Sequence, residues 1–399
     1  MKIIFVATLL IILVLIISLF VIKTLDLSKQ NMSCYLNYNS TFSMQGGSKK
    51  FNPSDIGYEE VRNIKEEELE VKEFIKKIVN APEDSSVIFT SGATESMATT
   101  LNWLKSFNRY GVVCGSEFDH DSVKLNCDNM ELKYKKVDVE KIIKGKKKFD
   151  KNCSCVFLTH VSPHTAEILP MDKLSDILDD VYLSEINDDN PELVEVSAQY
   201  KPLVVLDVSQ SIGKTEIDMK KWGINALFFS LHKLGGQMNC GVLVVKDDIT
   251  KPFKPLIAGK QQNSMRGGTY NAYGYLNFKD IYKNYIDSFD HEGCKKTWEK
   301  MYNKFTLGGL NVVEPKFDHL YNTILIKTKK CSFDMITKLN SYGIYTSGKT
   351  ACDSLDENDK SSTLRLSFIN GDVSTKTMNK IIDVVNEIEN NVDEISEDY

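Results

Sequence analysis

Residues 206–233 read LDVSQSIGKTEIDMKKWGINALFFSLHK, and the two ends of this stretch decide the fold. Each end closes a short apolar run, one at Asp207 and the other at Ser230, and each run stops abruptly in polar residues. Short β-rich runs that are apolar on both sides read as strands buried on both faces. The same unit recurs in SSVIFTSGATES (85–96), GVVCGSEFDHDSV (111–123), CSCVFLTHVSP (153–163) and CGVLVVKDD (240–248). Alternation of such runs with helical segments, among them IKEEELEVKEFIKKIVN (64–80), predicts an α/β domain with a mostly parallel sheet covered by helices. Ligands of such sheets sit beyond the carboxyl ends of the strands, where this chain concentrates its polar residues.

The chain is 399 residues long, more than one compact core usually holds, so a large domain with a smaller satellite is expected. From about Lys254 the pattern changes to longer helical pieces around two strand candidates, NTILIKT (322–328) and TLRLSFI (363–369). This divides the chain into a large domain, 35–255, and a small α+β domain, 256–399. A net charge of −6 excludes the strongly basic footprint of a nucleic-acid binder, and the lysine run at 141–151 reads as an exposed connection. The nine cysteines are odd in number, irregularly spaced and without paired C-x-x-C steps, which fits reduced thiols and no metal site.

The N-terminus differs from everything after it. Residues 3–22 are Ile, Leu, Val or Phe except Ala7, Thr8 and Ser18, and twenty helical residues span the ~30 Å hydrocarbon core of a bilayer. A single-pass transmembrane anchor over 1–24 and a linker over 25–34 are expected; SLFVIKTLDL offers no small-residue cleavage site for a signal peptide. Lys2 on one side and Lys23 and Lys29 on the other specify orientation weakly. Asn-x-Ser/Thr triplets at Asn31, Asn39 and Asn152 matter only on a lumenal face. The domains that follow the anchor are assigned to the cytosolic side.

Ser91-Gly92-Ala93-Thr94 joins a strand to a helix, which makes either a tight connection or an anion site built from free helix-start amides. Asp207 is either a helix cap or a carboxylate that holds a proton on a heteroaromatic nitrogen, with the amide of Gln210 beside it for a ring oxygen. Lys233, directly after an apolar strand, is costly to bury unless paired or covalently used. An amine, an acid and several phosphate donors are what pyridoxal phosphate requires.

FTSGATES (89–96), the 206–233 stretch and MRGGT (265–269) together resemble the NifS-type cysteine desulfurases, in the class V aminotransferase group of fold type I pyridoxal phosphate enzymes. The resemblance runs from about Tyr35 to the last helix. It implies that Lys233 binds the cofactor covalently, that Asp207 pairs with its pyridine nitrogen and that Gln210 contacts its ring hydroxyl. Ala93, Thr94, Ser230 and His232 would hold the phosphate, with Thr269 reaching the phosphate of a second subunit in a homodimer. His120 matches the family histidine that stacks on the cofactor ring and moves protons. In YTSGKTACDSLDENDKSSTLRLSF (345–368), Cys352 matches the nucleophile and Arg365 the clamp on the substrate carboxylate. The implied reaction turns L-cysteine into L-alanine and leaves a persulfide on Cys352 for a sulfur acceptor protein.

Three departures mark the chain. Pro163 stands where the family has an asparagine, with His164 as its only substitute; Leu231 stands at a usual glycine, and LGGQMNCG (234–241) lacks the family's proline turn. The cysteine loop carries one extra residue, at Lys349 or Thr350. Two alternatives stay open, another class V lyase or aminotransferase and a membrane-anchored scaffold without turnover.

Overall fold

A computed structural model describes residues 52–57, 59–106, 112–150, 153–186, 202–247, 253–348, 363–371 and 373–390. The chain divides into two units, Met1–Asn63 and Ile64–Tyr399, and both β-sheets lie in the second. The expected anchor at 3–22, the Cys352 loop and the acidic C-terminus from 391 on lie outside the described residues. Among the described residues, no helix is long and apolar enough to cross a membrane.

The chain order is α1 (Glu59–Ile78), β1 (Ser85–Thr90), α2 (Ala93–Ser106), β2 (Val112–Gly115), α3 (Ser122–Asn129), β3 (Lys133–Lys136), α4 (Val139–Ile143), β4 (Cys153–Thr159) and α5 (Met171–Ile186). It continues through β5 (Leu203–Asp207), β6 (Ala226–Ser230), β7 (Gly241–Lys246), α6 (Phe278–Ser288), α7 (His291–Leu307), β8 (Asn311–Val312), β9 (Thr323–Lys327), α8 (Ser332–Ser341), β10 (Thr363–Ser367) and α9 (Thr375–Asn390). The first seven strands form one sheet in the order β1-β7-β6-β5-β4-β2-β3. Every neighbouring pair from β6 to β3 is parallel, whereas β7 runs antiparallel to both β6 and β1.

Strand alternation sends side chains to two separate cores. On one face, Val87 and Phe89 of β1, Val156 and Leu158 of β4, and Leu227 and Phe229 of β6 pack with Val71 and Ile75 of α1 and Leu174 and Leu178 of α5. On the other, Ile88, Phe157, Phe228 and Leu243 pack with Met97 and Leu101 of α2 and Val123 of α3. Apolar residues at consecutive strand positions are therefore what a sheet covered by helices on both faces demands. The second sheet, β10-β9-β8, is antiparallel and carries its own core, in which Ile324, Ile326, Leu364 and Leu366 meet Phe305, Leu339 and Ile381.

Candidate active site

The strand registers bring five carboxyl ends to one edge of the large sheet. Thr90 pairs with Gly241 and Gly241 with Ser230, Asp207 pairs with Phe228, Thr159 with Asp207 and Gly115 with Phe157. Each predicted large-domain site residue stands at this edge or in the turn just beyond it.

At the β1 end the backbone itself forms a cradle. Ser230 Oγ accepts the Ala93 amide at 2.8 Å, which ties the start of α2 to the end of β6. The amides of Thr94 and Glu95 lie in the same first turn, where a helix has no backbone acceptor of its own. Only glycine fits at 241, because a Cβ there would stand 2.5 Å from Gly92 Cα and 2.6 Å from Thr90 Oγ1. The Tyr275 hydroxyl accepts the Gly241 amide at 3.0 Å and donates to Thr90 O at 2.5 Å, locking the two strands from beneath.

Two residues of the segment before Thr269 complete this corner, and neither was evident from motif reading. Arg266 holds Glu95 through Nε at 2.8 Å and Nη2 at 3.1 Å. Burial works against the Glu95 charge, yet the bonds from Arg266 and Ser91 hold its carboxyl below the usual range. Gln262 grips the outer edge of β1, donating to Phe89 O and accepting the Phe89 amide, both at 2.8 Å. Thr269 itself is exposed in the single chain.

Lys233 follows β6 in one 3₁₀ turn, Leu231–Leu234, closed by Gly235 at φ +80°. Leu231 and Leu234 are buried and pin the turn, which leaves His232 and Lys233 on its exposed side. The unexpected Leu231 fits because Gly236 yields the space; a Cβ there would come within 2.9 Å of Leu231 Cβ. Asp207 ends β5, the strand beside β6. Burial raises its carboxyl above the ordinary range, while bonds from Ser209 and the nearby charges of His120 and Lys233 oppose the rise. His120 Nδ1 bonds Ser122 Oγ at 2.7 Å, which fixes the ring.

Two further ionisable groups stand here that sequence reasoning passed over. Asp119 accepts Ser116 N and Ser116 Oγ, both at 2.6 Å, and Thr159 Oγ1 at 2.9 Å, so it joins the ends of β2 and β4. Burial, with the Asp207 charge adding, pushes its carboxyl up to about 7. Lys214 donates to Gln210 Oε1 at 3.2 Å, and burial first, then the Lys233 charge, lowers it to about 8. Neighbourhood to His120 and Gln210 was the available signal for both.

Arg365 lies on β10, where its Nη1 donates to Pro163 O at 2.8 Å and its Nε to Ser347 Oγ at 3.0 Å. The segment after β4 and the small sheet are thus joined through the predicted clamp. Glu167 adds a second junction by accepting the Phe317 amide at 3.2 Å. The hydroxyl of Ser162 receives the amides of His164 and Thr165, each at 3.2 Å, and shapes the turn that presents the Pro163 carbonyl.

An amine, an acid with a raised carboxyl, a donor amide and a helix-start cradle at one sheet edge suit pyridoxal phosphate in donor chemistry: cation-compatible at one end, anion-binding at the other. These features define a class of protein, and the chain belongs to the class-V aminotransferase family, whose sequence model matches residues 52–374. Pyridoxal phosphate is the cofactor of that family. Among curated relatives, the cysteine desulfurase NifS of Azotobacter vinelandii is 25% identical over 302 residues, covering 71% of this chain and 69% of NifS. A cysteine desulfurase of Sinorhizobium fredii is 26% identical over 303 residues, covering 70% and 71%. The fold matches the crystal structure of a NifS-like protein from Rickettsia africae with a TM-score of 0.67 at 19% identity, over 85% of this chain and 92% of that one.

Proposed function

We propose that the chain is a pyridoxal-phosphate-dependent cysteine desulfurase that releases L-alanine from L-cysteine and carries the sulfur as a persulfide on Cys352. The observation that supports it most is that Asp207 at the end of β5, Gln210 just beyond it and Lys233 in the turn after β6 stand at neighbouring strand ends of one sheet edge. The family relatives named as cysteine desulfurases point to the same chemistry.

When bound, pyridoxal phosphate supplies an electron sink beside the substrate α-carbon. Lys233 would hold it covalently, and its Nζ would take the substrate α-proton. Asp207 would hold a proton at the pyridine nitrogen, Gln210 would donate to the ring oxygen, and His120 would lie against the ring. Ala93, Thr94, Ser230 and His232 would receive the phosphate, and Thr269 would reach that of the second subunit of a homodimer. Arg365 would bind the substrate carboxylate while the Cys352 thiolate attacks the substrate Sγ; the S–S bond would form as the Cβ–Sγ bond breaks, with its electron pair and a proton going to Cβ to give the alanine methyl. Residues 3–22 anchor the protein in a membrane by one helix, with a large domain at 35–255, a small one at 256–399 and the catalytic part in the cytosol. The persulfide is then handed to an acceptor protein.

The test uses full-length protein in detergent, loaded with pyridoxal phosphate and given L-cysteine. Wild type should release alanine, and Cys352→Ala should keep the bound cofactor's visible absorption while losing alanine release. Undiminished alanine from Cys352→Ala would point to another class V activity. A coloured but inert wild type would leave only a scaffold.

A further inference from the structure

Gln210 has two chemically different ends, and only one of them suits a cofactor oxygen. Its carbonyl accepts and its NH₂ donates, so the way the amide faces decides whether it can bond a ring hydroxylate. Lys214 settles that choice. An ammonium has three donors and no acceptor, so the group 3.2 Å from its Nζ is Oε1, and the NH₂ is turned to the other side.

The lysine is itself held in place. Gly213 takes φ +72°, and a Cβ on it would stand 3.2 Å from the Tyr285 ring, so the turn packs closely against α6. Lys214 Nζ lies 6.0 Å from the centroid of that same ring. The charged or titratable groups bearing on it are Lys233 across the site and Cys294 of α7, with Tyr285 alongside. Packing against Tyr285 and the bond to Gln210 hold it on the site side, although partial burial works against its charge.

We propose that Lys214 is a positioning residue: by occupying Oε1 of Gln210 it directs the Nε2 hydrogens of that amide at the ring oxygen of pyridoxal phosphate. This rests on the reading of the site as a pyridoxal phosphate site. It adds a residue that touches neither substrate nor cofactor, and it gives a reason for a half-buried lysine beside the reactive one.

The test measures two properties of the full-length protein in detergent, the affinity for pyridoxal phosphate from quenching of its three tryptophans and the absorption maximum of the bound cofactor. Loss of one oriented hydrogen bond in Lys214→Met should weaken binding by roughly 3- to 10-fold and shift the absorption maximum. Lys214→Arg, which still donates, should restore both. In a Gln210→Leu background, Lys214→Met should change affinity by less than about two-fold, because its effect passes through the amide. Gln210→Glu, which keeps the lysine paired but loses the amide hydrogens, should reproduce the spectral shift even if Lys214→Met folds poorly. Wild-type affinity and spectrum in Lys214→Met, or an equal effect with and without Gln210, would overturn the proposal alone. A wild type that takes up no pyridoxal phosphate would overturn the reading of the site and the proposal with it.

Discussion

Replacing Gly241 with alanine should damage stability and ligand binding together, because the same backbone serves both. The added methyl would stand 2.5 Å from Gly92 Cα and 2.6 Å from Thr90 Oγ1. Ordinary carbon contacts are ~3.5–4.0 Å, so something must move by about 1 Å. Tyr275 holds β7 to β1 from below, so the strands cannot part easily, and the turn at Gly92 has to yield. Overpacking of this kind costs about 1–3 kcal/mol, a few degrees in melting temperature for each kcal/mol. The same displacement stretches the 2.8 Å bond between the Ala93 amide and Ser230 Oγ beyond useful length. Losing one or two charge-assisted donors to a phosphate costs roughly 1.5–3 kcal/mol each, which weakens pyridoxal phosphate binding by roughly ten-fold or more. Thermal melting of the full-length protein with and without added cofactor reads both effects, since a ligand that binds only the folded state raises the midpoint. Gly241→Ala should melt lower and gain less from the cofactor. A variant that melts with wild type and responds equally to ligand would refute the steric argument.

Two further outcomes follow from other parts of the site. Asp119 is neutral more readily when folded than when unfolded, so the unfolded chain binds fewer protons between about pH 4 and pH 7, and stability should fall as pH rises through that window, by up to ~4 kcal/mol. Asp119→Asn should flatten this part of the melting-temperature profile between pH 5 and pH 8; an unchanged slope would refute the assignment. Arg365→Lys removes a planar fork that bonds Pro163 and Ser347, and KM for cysteine should rise roughly 10- to 100-fold with little change in cofactor absorption. An unaltered KM would remove Arg365 from substrate binding.

The strands buried on both faces were legible because their apolar runs are continuous: VIFT, VFLT, VVLD and ALFFS became β1, β4, β5 and β6. β3 was not, since KYKK is a sheet-edge strand whose lysines face water and carries no apolar signal. The two-residue β8 is too short for any pattern. Positions at the sheet edge were legible where motifs are local, as at Asp207, Gln210 and Lys233. Glu95 and Arg266 were silent because they meet across 171 residues of chain, and no spacing rule spans that distance. Asp119 shows a subtler limit: its identity was plain, but its burial depends on Ser116 and Thr159 closing over it.

The grip of Gln262 on β1 reaches beyond the site. β1 ends the seven-stranded sheet, and its outer row of amides and carbonyls would otherwise be a template for a foreign chain. One side chain blocks that template at Phe89 by imitating a partner strand, and it is delivered by three successive left-handed residues, Gln262, Asn263 and Ser264, none of them glycine. Arg266, two residues on, secures Glu95 at the start of α2. One loop therefore both covers the open edge of the sheet and braces the first turn of α2, and damage there should loosen the two together.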